Sequence, residues 1–309
     1  MALPAELAEL AAEVSNWGRW GDDDERGTLN LIDAAALRRG ADAVQRGQSF
    51  SLAMPLDQHG PQTGSIPGRL NPLRTMLTVN TPYTGDPSDL CANDDVVTMG
   101  LQSCTHWDAL AHVSYDGRLY NGFDAATVSA AGAARCGIDK AGPVVSRGVL
   151  LDVPRAIGQT VLEPGHAISA MELDAAERNG GTAVQPGDIV LVRTGHVTLW
   201  KTKRRRAYTE GSCPGLSTST IGWLRARDVA AVATDTLVLE VWPCEDPKVL
   251  LPVHMIQLRD MGLLQGQNFD LEALADDCAA DGRHEFLLSA TPEPFTGGAG
   301  APVAPVATK

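Results

Sequence analysis

The sequence predicts a single α/β domain in which helices alternate with strands. Residues 188–194 form a continuous apolar run that follows a Pro-Gly pair, and such a run is typical of a strand buried on both faces. Further segments with strand or helix periodicity alternate along the chain: residues 148–153, 170–179, 218–227 and 229–234. Because no repeat and no linker divides residues 1–290, we expect them to form one domain.

The first part of this domain, residues 1–48, is predicted to be a helical extension. Residues 1–14 are acidic and carry leucines at helical spacing, which indicates an amphipathic helix. The Gly- and Asp-rich residues 15–30 are expected to form a structured loop. A second helix is predicted over residues 32–45, with the Asp33 side chain as its N-cap.

Periodicity and turn residues predict the other elements. Strands are expected at residues 50–56, 76–79, 95–101 and 286–290, and helices at residues 252–261 and 271–280. The tail, residues 291–309, consists mainly of Pro, Gly, Ala and other small residues. Because such a segment cannot bury enough surface to order itself, we expect it to be disordered or to lie as an arm on a neighbouring molecule.

Charge and hydropathy restrict the class of protein. The net charge of -13 argues against binding to nucleic acids or anionic membranes, since both require clustered Lys and Arg. No apolar run reaches the roughly 18 residues that are needed to cross a bilayer, and the N-terminus lacks the features of a signal peptide. We therefore expect a cytoplasmic protein whose six cysteines are free thiols and whose partner is a small molecule.

Residues 102–112 are the strongest candidates for chemistry. Gln102, His106, Asp108 and His112 all occupy even positions, and in an extended strand all four side chains would point to one face. Imidazole, carboxylate and amide oxygen are ligands that a divalent metal ion accepts in proteins. The alternative is a half-buried strand with scattered polar residues, because isolated His-x-Asp pairs are common.

Other polar residues lie at predicted strand ends and turns. Asp235 ends a buried strand, His254 begins a helix, and Gln267 lies in a Gly-flanked turn. Asp188 opens another strand, where a capping carboxylate in a turn is the simpler interpretation. Cys104 is either a thiolate ligand or nucleophile or, as a simpler interpretation, a small buried filler.

Several catalytic motifs are absent from the sequence. It has no G-x-S-x-G elbow, no P-loop and no G-x-G-x-x-G that follows a predicted strand. Two interpretations of the polar residues therefore remain, which are metal-assisted activation of water and a binding pocket without a metal.

The segment Gln-Ser-Cys-Thr-His-Trp-Asp-Ala-Leu-Ala-His resembles the signature H-x-G-T-H-x-D-x-P-x-H of a known family. This is the cyclase family of metal-dependent hydrolases, which includes bacterial kynurenine formamidase and isatin hydrolase. Further similarities follow in order along the chain: Trp17-Gly18, residues 27–30, residues 148–153, residues 187–190, residues 193–195, residues 214–216, Asp235-Thr236, His254 and Gln267-Asn268.

The resemblance implies a swivelling β/β/α-type domain with mixed β-sheets and flanking helices, assembled as a homodimer or homotetramer. It also implies cleavage of an amide, lactam or lactone bond with the help of Mn or Zn. By position, His106 and Asp108 would be metal ligands and His112 the general acid/base. Gln102 replaces the first ligand histidine, which favours Mn over Zn. Gln267 replaces a glutamate near a second metal in kynurenine formamidases, so we expect one metal ion.

The sequence thus predicts a metal-dependent hydrolase that acts on a small, cyclic substrate. Two alternatives stay open, which are a cyclase or dehydratase without net hydrolysis and a metal-free binding protein on the same fold. The supporting residues expected to orient water or substrate are His254, Gln267 and Asp235. Three tryptophans would wall the pocket or, equally, pack in the core: Trp17, Trp20 and Trp107.

Overall fold

The computed structural model describes residues 3–309, which are built around a nine-stranded sheet. The strands are β1 Ser49–Ser51, β2 Leu73–Pro82, β3 Cys91–Thr98, β4 His106–Asp108, β5 Val128–Ser129, β6 Gly132–Ala133, β7 Val145–Asp152, β8 Ala167–Ile168, β9 Ile189–Arg193, β10 Gly215–Leu216, β11 Ala231–Thr234, β12 Leu264–Gln267, β13 Glu285–Ser289, β14 Gly300–Pro302 and β15 Val306–Thr308. The α-helices are α1 Ala5–Val14, α2 Ala34–Asp42, α3 Val153–Ala156, α4 Ala170–Gly180, α5 Val197–Lys201, α6 Arg205–Thr209, α7 Ser219–Ala226, α8 Pro252–His254 and α9 Glu272–Asp281.

The main sheet is mixed, with a parallel centre and antiparallel borders. Its strand order is β1-β15-β13-β7-β9-β11-β12-β4-β14. The neighbours β7, β9, β11 and β12 run parallel, whereas β13, β15 and β1 on one side and β4 and β14 on the other pair antiparallel. This mixed sheet with flanking helices confirms the predicted fold class.

A hydrophobic core covers each face of the sheet, and alternate side chains of β9 point into the two cores. Val190 and Val192 face a core that includes residues of α1, α4 and α7. Ile189 and Leu191 face the opposite core, to which α9 contributes. All residues of β9 are buried, which confirms the prediction from the continuous apolar run.

Two predicted helix features agree with the structure. The Asp33 side chain accepts a hydrogen bond from the Ala36 backbone N–H at 2.8 Å, which caps α2 as expected. The predicted helix over residues 252–261 is present, but it continues from α8 into a π-helical turn at Met255–Met261. No helix within residues 3–309 is both long enough and apolar enough to cross a membrane.

The expectation that the tail is disordered or lies on a neighbour is wrong. Strand β14 pairs with β4, and β15 lies between β1 and β13, so both complete the chain's own sheet. The buried Lys309 Nζ also forms ion pairs with Asp277 and Asp281, each at 2.8 Å. Backbone hydrogen bonds to neighbouring strands order this segment, and Ala301, Val303 and Ala307 are buried in the core.

Strands β2 and β3 form a separate hairpin. The sequence predicted strands at residues 76–79 and 95–101, and the structure contains longer ones that pair only with each other. Many of their apolar side chains are exposed. The hairpin ends just before residues 99–105, which connect it to β4.

Candidate active site

Strand β4 carries the two central residues of the candidate site. His106 and Asp108 lie opposite Gln267 and Gln265 of β12, and opposite Pro302 and Gly300 of β14. Directly opposed residues of antiparallel strands share a face of the sheet. His106, Asp108 and Gln267 therefore project from the same face, while Trp107 projects from the other. This agrees with the sequence prediction for His106 and Asp108.

The His106 ring and the Asp108 carboxylate each present a buried atom without a partner. The His106 Nδ1 lies 2.7 Å from the Cys104 carbonyl oxygen, which places the ring proton on Nδ1 and leaves a lone pair on Nε2. Within residues 3–309, neither His106 Nε2 nor Asp108 Oδ1 has a hydrogen-bond partner. These two atoms are 3.5 Å apart. Such orphaned polar atoms are costly unless a ligand satisfies them.

His112 approaches the same carboxylate oxygen from a turn. Its Nε2 lies 3.7 Å from Asp108 Oδ1, and its side chain is 25% exposed. Residues 102–112 were expected to be a strand or an extended loop, and the structure forms a strand only over His106–Asp108, where β4 finds pairing partners. Gln102 and His112 occupy turns on either side of the strand. The structure nevertheless brings His106, Asp108 and His112 together.

Gln102 lies beside the site, over Gly300. A Cβ atom added at Gly300 would be 2.7 Å from Gln102 Nε2, so the amide occupies the space that a side chain there would need. Because Gly300 is opposite Asp108, this space is on the Asp108 face of the sheet. The tail strand β14 thus makes room for Gln102 near the carboxylate.

A chain of hydrogen bonds connects Asp108 to a buried glutamate. Gln267 Nε2 donates to Asp108 Oδ2 at 2.7 Å and lies 3.0 Å from His254 Nε2. The His254 Nδ1 lies 2.5 Å from Glu240 Oε1. The predicted supporting roles of His254 and Gln267 thus have a geometric basis. Glu240 was missed, although its position within the apolar run 237–242 was a signal for a buried acid.

Electrostatics favour an ionised Asp108 and a neutral His112. Burial alone would raise the pKa of Asp108, but the His112 and His106 imidazoles hold that pKa well below its ordinary value. The Asp108 charge raises the pKa of His112, yet burial and the neighbouring His254 and His106 together lower it. Burial lowers the pKa of His254, but the hydrogen bond and charge of Glu240 outweigh it and raise this pKa.

The tryptophans do not surround these residues. Trp107 points into the core on the opposite face, where it packs edge-on against Phe269 and donates to the Ala290 carbonyl. The expectation that it walls the pocket is therefore wrong, because strand alternation turns it away from His106 and Asp108. Trp17 donates to the Arg259 carbonyl at the surface, and Trp20 lies beneath the Arg19 guanidinium.

Asp235 is buried at the end of β11 but contacts none of the clustered side chains. Its carboxylate accepts hydrogen bonds from the Thr194 N–H and hydroxyl and from the Gly195 N–H. It thus holds the loop after β9. Asn268, which the sequence placed beside Gln267, donates to the Cys104 carbonyl at 3.0 Å and so braces the turn before β4.

Cys104 fits the simpler interpretation given above. Its thiol is fully buried, and burial raises its pKa to about 11. Burial thus favours the protonated thiol, as expected for a small buried filler.

To bind a divalent cation, the cluster needs at least one ligand that is not a His, Cys, Asp or Glu side chain. No three such side chains within residues 3–309 are arranged to hold a metal ion by themselves. The pair His106 Nε2 and Asp108 Oδ1 does fit, because two ligands at about 2.1 Å in tetrahedral geometry lie about 3.4 Å apart. The further donors near this pair are His112 and the amide of Gln102.

Comparison with known proteins shows close similarity to one solved structure. This structure, described as a novel cyclase, is 38% identical in sequence with a TM-score of 0.88, and the match covers 97% of this chain and 99% of the other. No curated protein matches the chain.

More distant structures share the fold. Isatin hydrolase A from Ralstonia solanacearum is 19% identical with a TM-score of 0.63, over 89% of this chain and 95% of the other. A protein from Bacillus stearothermophilus, described as a predicted metal-dependent hydrolase, is 14% identical with a TM-score of 0.51, over 85% and 98%. The family described as "putative cyclase" matches residues 50–241. Together with the 38% identical structure, this match shows that the chain belongs to this cyclase family, as residues 102–112 had indicated.

Proposed function

We propose that this protein is a metal-dependent hydrolase that opens an amide, lactam or lactone bond of a small, cyclic substrate. The observation that carries the proposal is the pair of buried, unpartnered atoms His106 Nε2 and Asp108 Oδ1, with the His112 ring beside them. The shared fold with isatin hydrolase A supports this class of reaction.

The residues proposed to hold one divalent metal ion are His106, Asp108 and Gln102. When bound, a Mn or Zn ion lowers the pKa of a water molecule and polarises a carbonyl group. A neutral amide oxygen is a harder and weaker ligand than imidazole, so Gln102 favours Mn. Gln267 donates to Asp108 and orients its carboxylate, and His254 and Glu240 fix Gln267 in turn.

His112 is proposed to move the proton during hydrolysis. In its neutral form, the ring accepts a proton from the attacking water as the water oxygen bonds to the substrate carbonyl carbon. The same ring then gives this proton to the leaving nitrogen or oxygen as the C–N or C–O bond breaks. The products are a carboxylic acid and an amine or alcohol. General acid–base catalysis of this kind contributes about 10²–10⁴-fold to the rate.

The experiment combines elemental analysis with product mass. Protein purified without added metal is analysed for Mn and Zn and then assayed, with each metal, on a panel of lactams and lactones. We expect about one metal ion per chain and products heavier than substrate by one water. Product lighter by one water would instead establish a cyclase or dehydratase. Tight binding of a panel compound without metal or turnover would establish a binding protein.

The pH dependence of activity follows from His112. Because the pKa of His112 is lowered, its ring stays neutral down to a pH below the ordinary histidine value of about 6.5. We expect kcat/KM to be constant near pH 7–8 and to fall about tenfold per pH unit below that pKa. A pH–rate profile checks this, and an acid limb centred above pH 7 would contradict the role of His112 as a base.

Replacing Gln267 by Leu is expected to reduce metal affinity or kcat by about 10- to 100-fold. The substitution removes the hydrogen bond to Asp108 and the contact with His254, and it replaces the amide with an apolar side chain of similar size. Metal titration and steady-state kinetics measure the effect. The control is Gln45→Leu, because Gln45 lies at the surface, where its side chain donates to the Asp42 carbonyl. Gln62→Leu is not a suitable control, because the buried Gln62 side chain donates to the Ser103 carbonyl.

A further inference from the structure

A cavity of about 240 Å³ contains a charged side chain without a partner, and its lining is hydrogen-bonded to the segment before β4. Arg69, Gln62, Leu70 and Leu73 contribute to its lining. Gln62 Nε2 donates to the Ser103 carbonyl at 2.8 Å, which joins the cavity wall to the segment that leads into β4. The cavity therefore borders the turn that contains Gln102.

The Arg69 side chain lies against this same segment. A Cβ added at Gly100 would be 3.2 Å from Arg69 Cγ. The charge of Arg69 contributes to lowering the pKa of His112 and opposes the raised pKa of His254. Burial lowers the pKa of Arg69, and the Asp108 charge opposes this effect by raising it. The guanidinium is thus within electrostatic reach of the proposed catalytic residues.

Two of the four polar side chains that line the cavity, Arg69 and Gln62, have unused hydrogen-bonding capacity. Arg69 forms no ion pair and no side-chain hydrogen bond with the described part of the chain, although its pKa is lowered by burial. Gln62 is 5% exposed, and its Oε1 is buried without a partner. Leu70 and Leu73 are 51% and 48% exposed and add an apolar surface to the lining. A guanidinium matches a carboxylate with two parallel hydrogen bonds.

We propose that Arg69 binds a carboxylate of the substrate. The substrate class is thus an anionic amide or lactone with an apolar body that packs on Leu70 and Leu73. This inference rests on the proposed function for the identity of the reaction, but the binding of an anion in the cavity is measurable without turnover.

Binding of benzoate is the direct test, with benzamide as the uncharged probe of the same shape. Wild type, Arg69→Gln and Arg69→Lys are titrated by calorimetry, and thermal unfolding shows that each variant is folded. We expect wild type to prefer benzoate, and Arg69→Gln to weaken benzoate binding by about 10- to 100-fold while benzamide binding is unchanged. Arg69→Lys retains the charge and should keep part of the affinity.

Arg74→Gln is the matched control. This arginine lies on the neighbouring hairpin and is 61% exposed, and its Nη1 lies 3.7 Å from Asp95 and 2.8 Å from the Met76 sulfur on the same hairpin. The Arg74→Gln substitution removes the same charge without changing a residue of the cavity lining, so benzoate binding should stay at the wild-type value. Equal losses in the two Gln variants, or no measurable benzoate binding by wild type, would overturn the proposal.

Metal content and turnover of the same preparations separate the two proposals. If wild type contains no metal and opens no substrate of the panel, while benzoate binding still depends on Arg69, the hydrolase proposal fails and the anion site stands. If wild type hydrolyses the panel but Arg69→Gln changes neither benzoate binding nor the preference for carboxylate-bearing substrates, the anion site fails and the hydrolase proposal stands.

Discussion

Replacing His106 by Ala is expected to abolish tight binding of Mn or Zn and to reduce turnover by about 10³-fold. The substitution removes the unpartnered Nε2 that faces Asp108 Oδ1 at 3.5 Å, and only Asp108 and the weakly ligating amide of Gln102 remain. The expected size follows from the several kcal/mol that a bound metal contributes to transition-state stabilisation, since each 1.36 kcal/mol is a factor of ten in rate.

Two further variants make this experiment specific. His112→Ala should keep the metal and lose about 10²–10⁴-fold in rate, because only proton transfer is removed. His59→Ala removes an exposed histidine outside the cluster and should leave metal content and rate unchanged. The measurements are elemental analysis and kcat on the lactam and lactone panel. Full metal content and full rate in His106→Ala would refute the site assignment.

Replacing Asp188 by Ala is expected to destabilise the fold by about 3–5 kcal/mol. Asp188 has a fully buried side chain that bonds Arg147 through two oxygens, at 3.0 Å to Nε and 2.6 Å to Nη2. It also accepts from the Gln185 N–H, which is the turn-capping role that the sequence indicated. The sequence did not indicate the buried ion pair with Arg147. Its loss leaves the nearly buried Arg147 with Glu285 as its charged partner.

Urea denaturation of wild type and variant measures this change in the free energy of unfolding. Asp95→Ala is the control, because its only ion pair, with Arg74, is exposed on both sides and 3.7 Å long. The control should change stability by less than about 0.5 kcal/mol. A loss below about 1 kcal/mol in Asp188→Ala would show that the buried pair contributes little beyond the cost of its desolvation.

Some residues of the candidate site could be predicted from their sequence neighbours, and others could not. His106 and Asp108 share a face because they are two apart on one strand, so spacing alone was sufficient to pair them. Of the two roles left open for their neighbour Trp107, the core role holds, because the same alternation places it on the core face. The sequence did not show that the strand excludes Gln102 and His112, since pairing partners decide where a strand begins and ends.

The remaining site residues were not predictable from local pattern. Glu240 meets His254 across 14 positions and completes the chain of contacts to Asp108. Arg69 is distant from β4 in sequence, and its side chain packs on Gly100 in the segment that leads into β4. Gly300 lies opposite Asp108 through the register of β14. Each contact depends on a partner that is chosen only when the sheet forms.

The class of fold, the double burial of β9, the cap of α2 and the pairing of His106 with Asp108 were predictable, because each follows from periodicity or side-chain chemistry over a few residues. That the tail completes the sheet, and that Glu240 and Gly300 join the site, became evident only in the folded molecule. Strand register and loop packing join residues far apart in sequence, and their energy comes from contacts that no local segment contains.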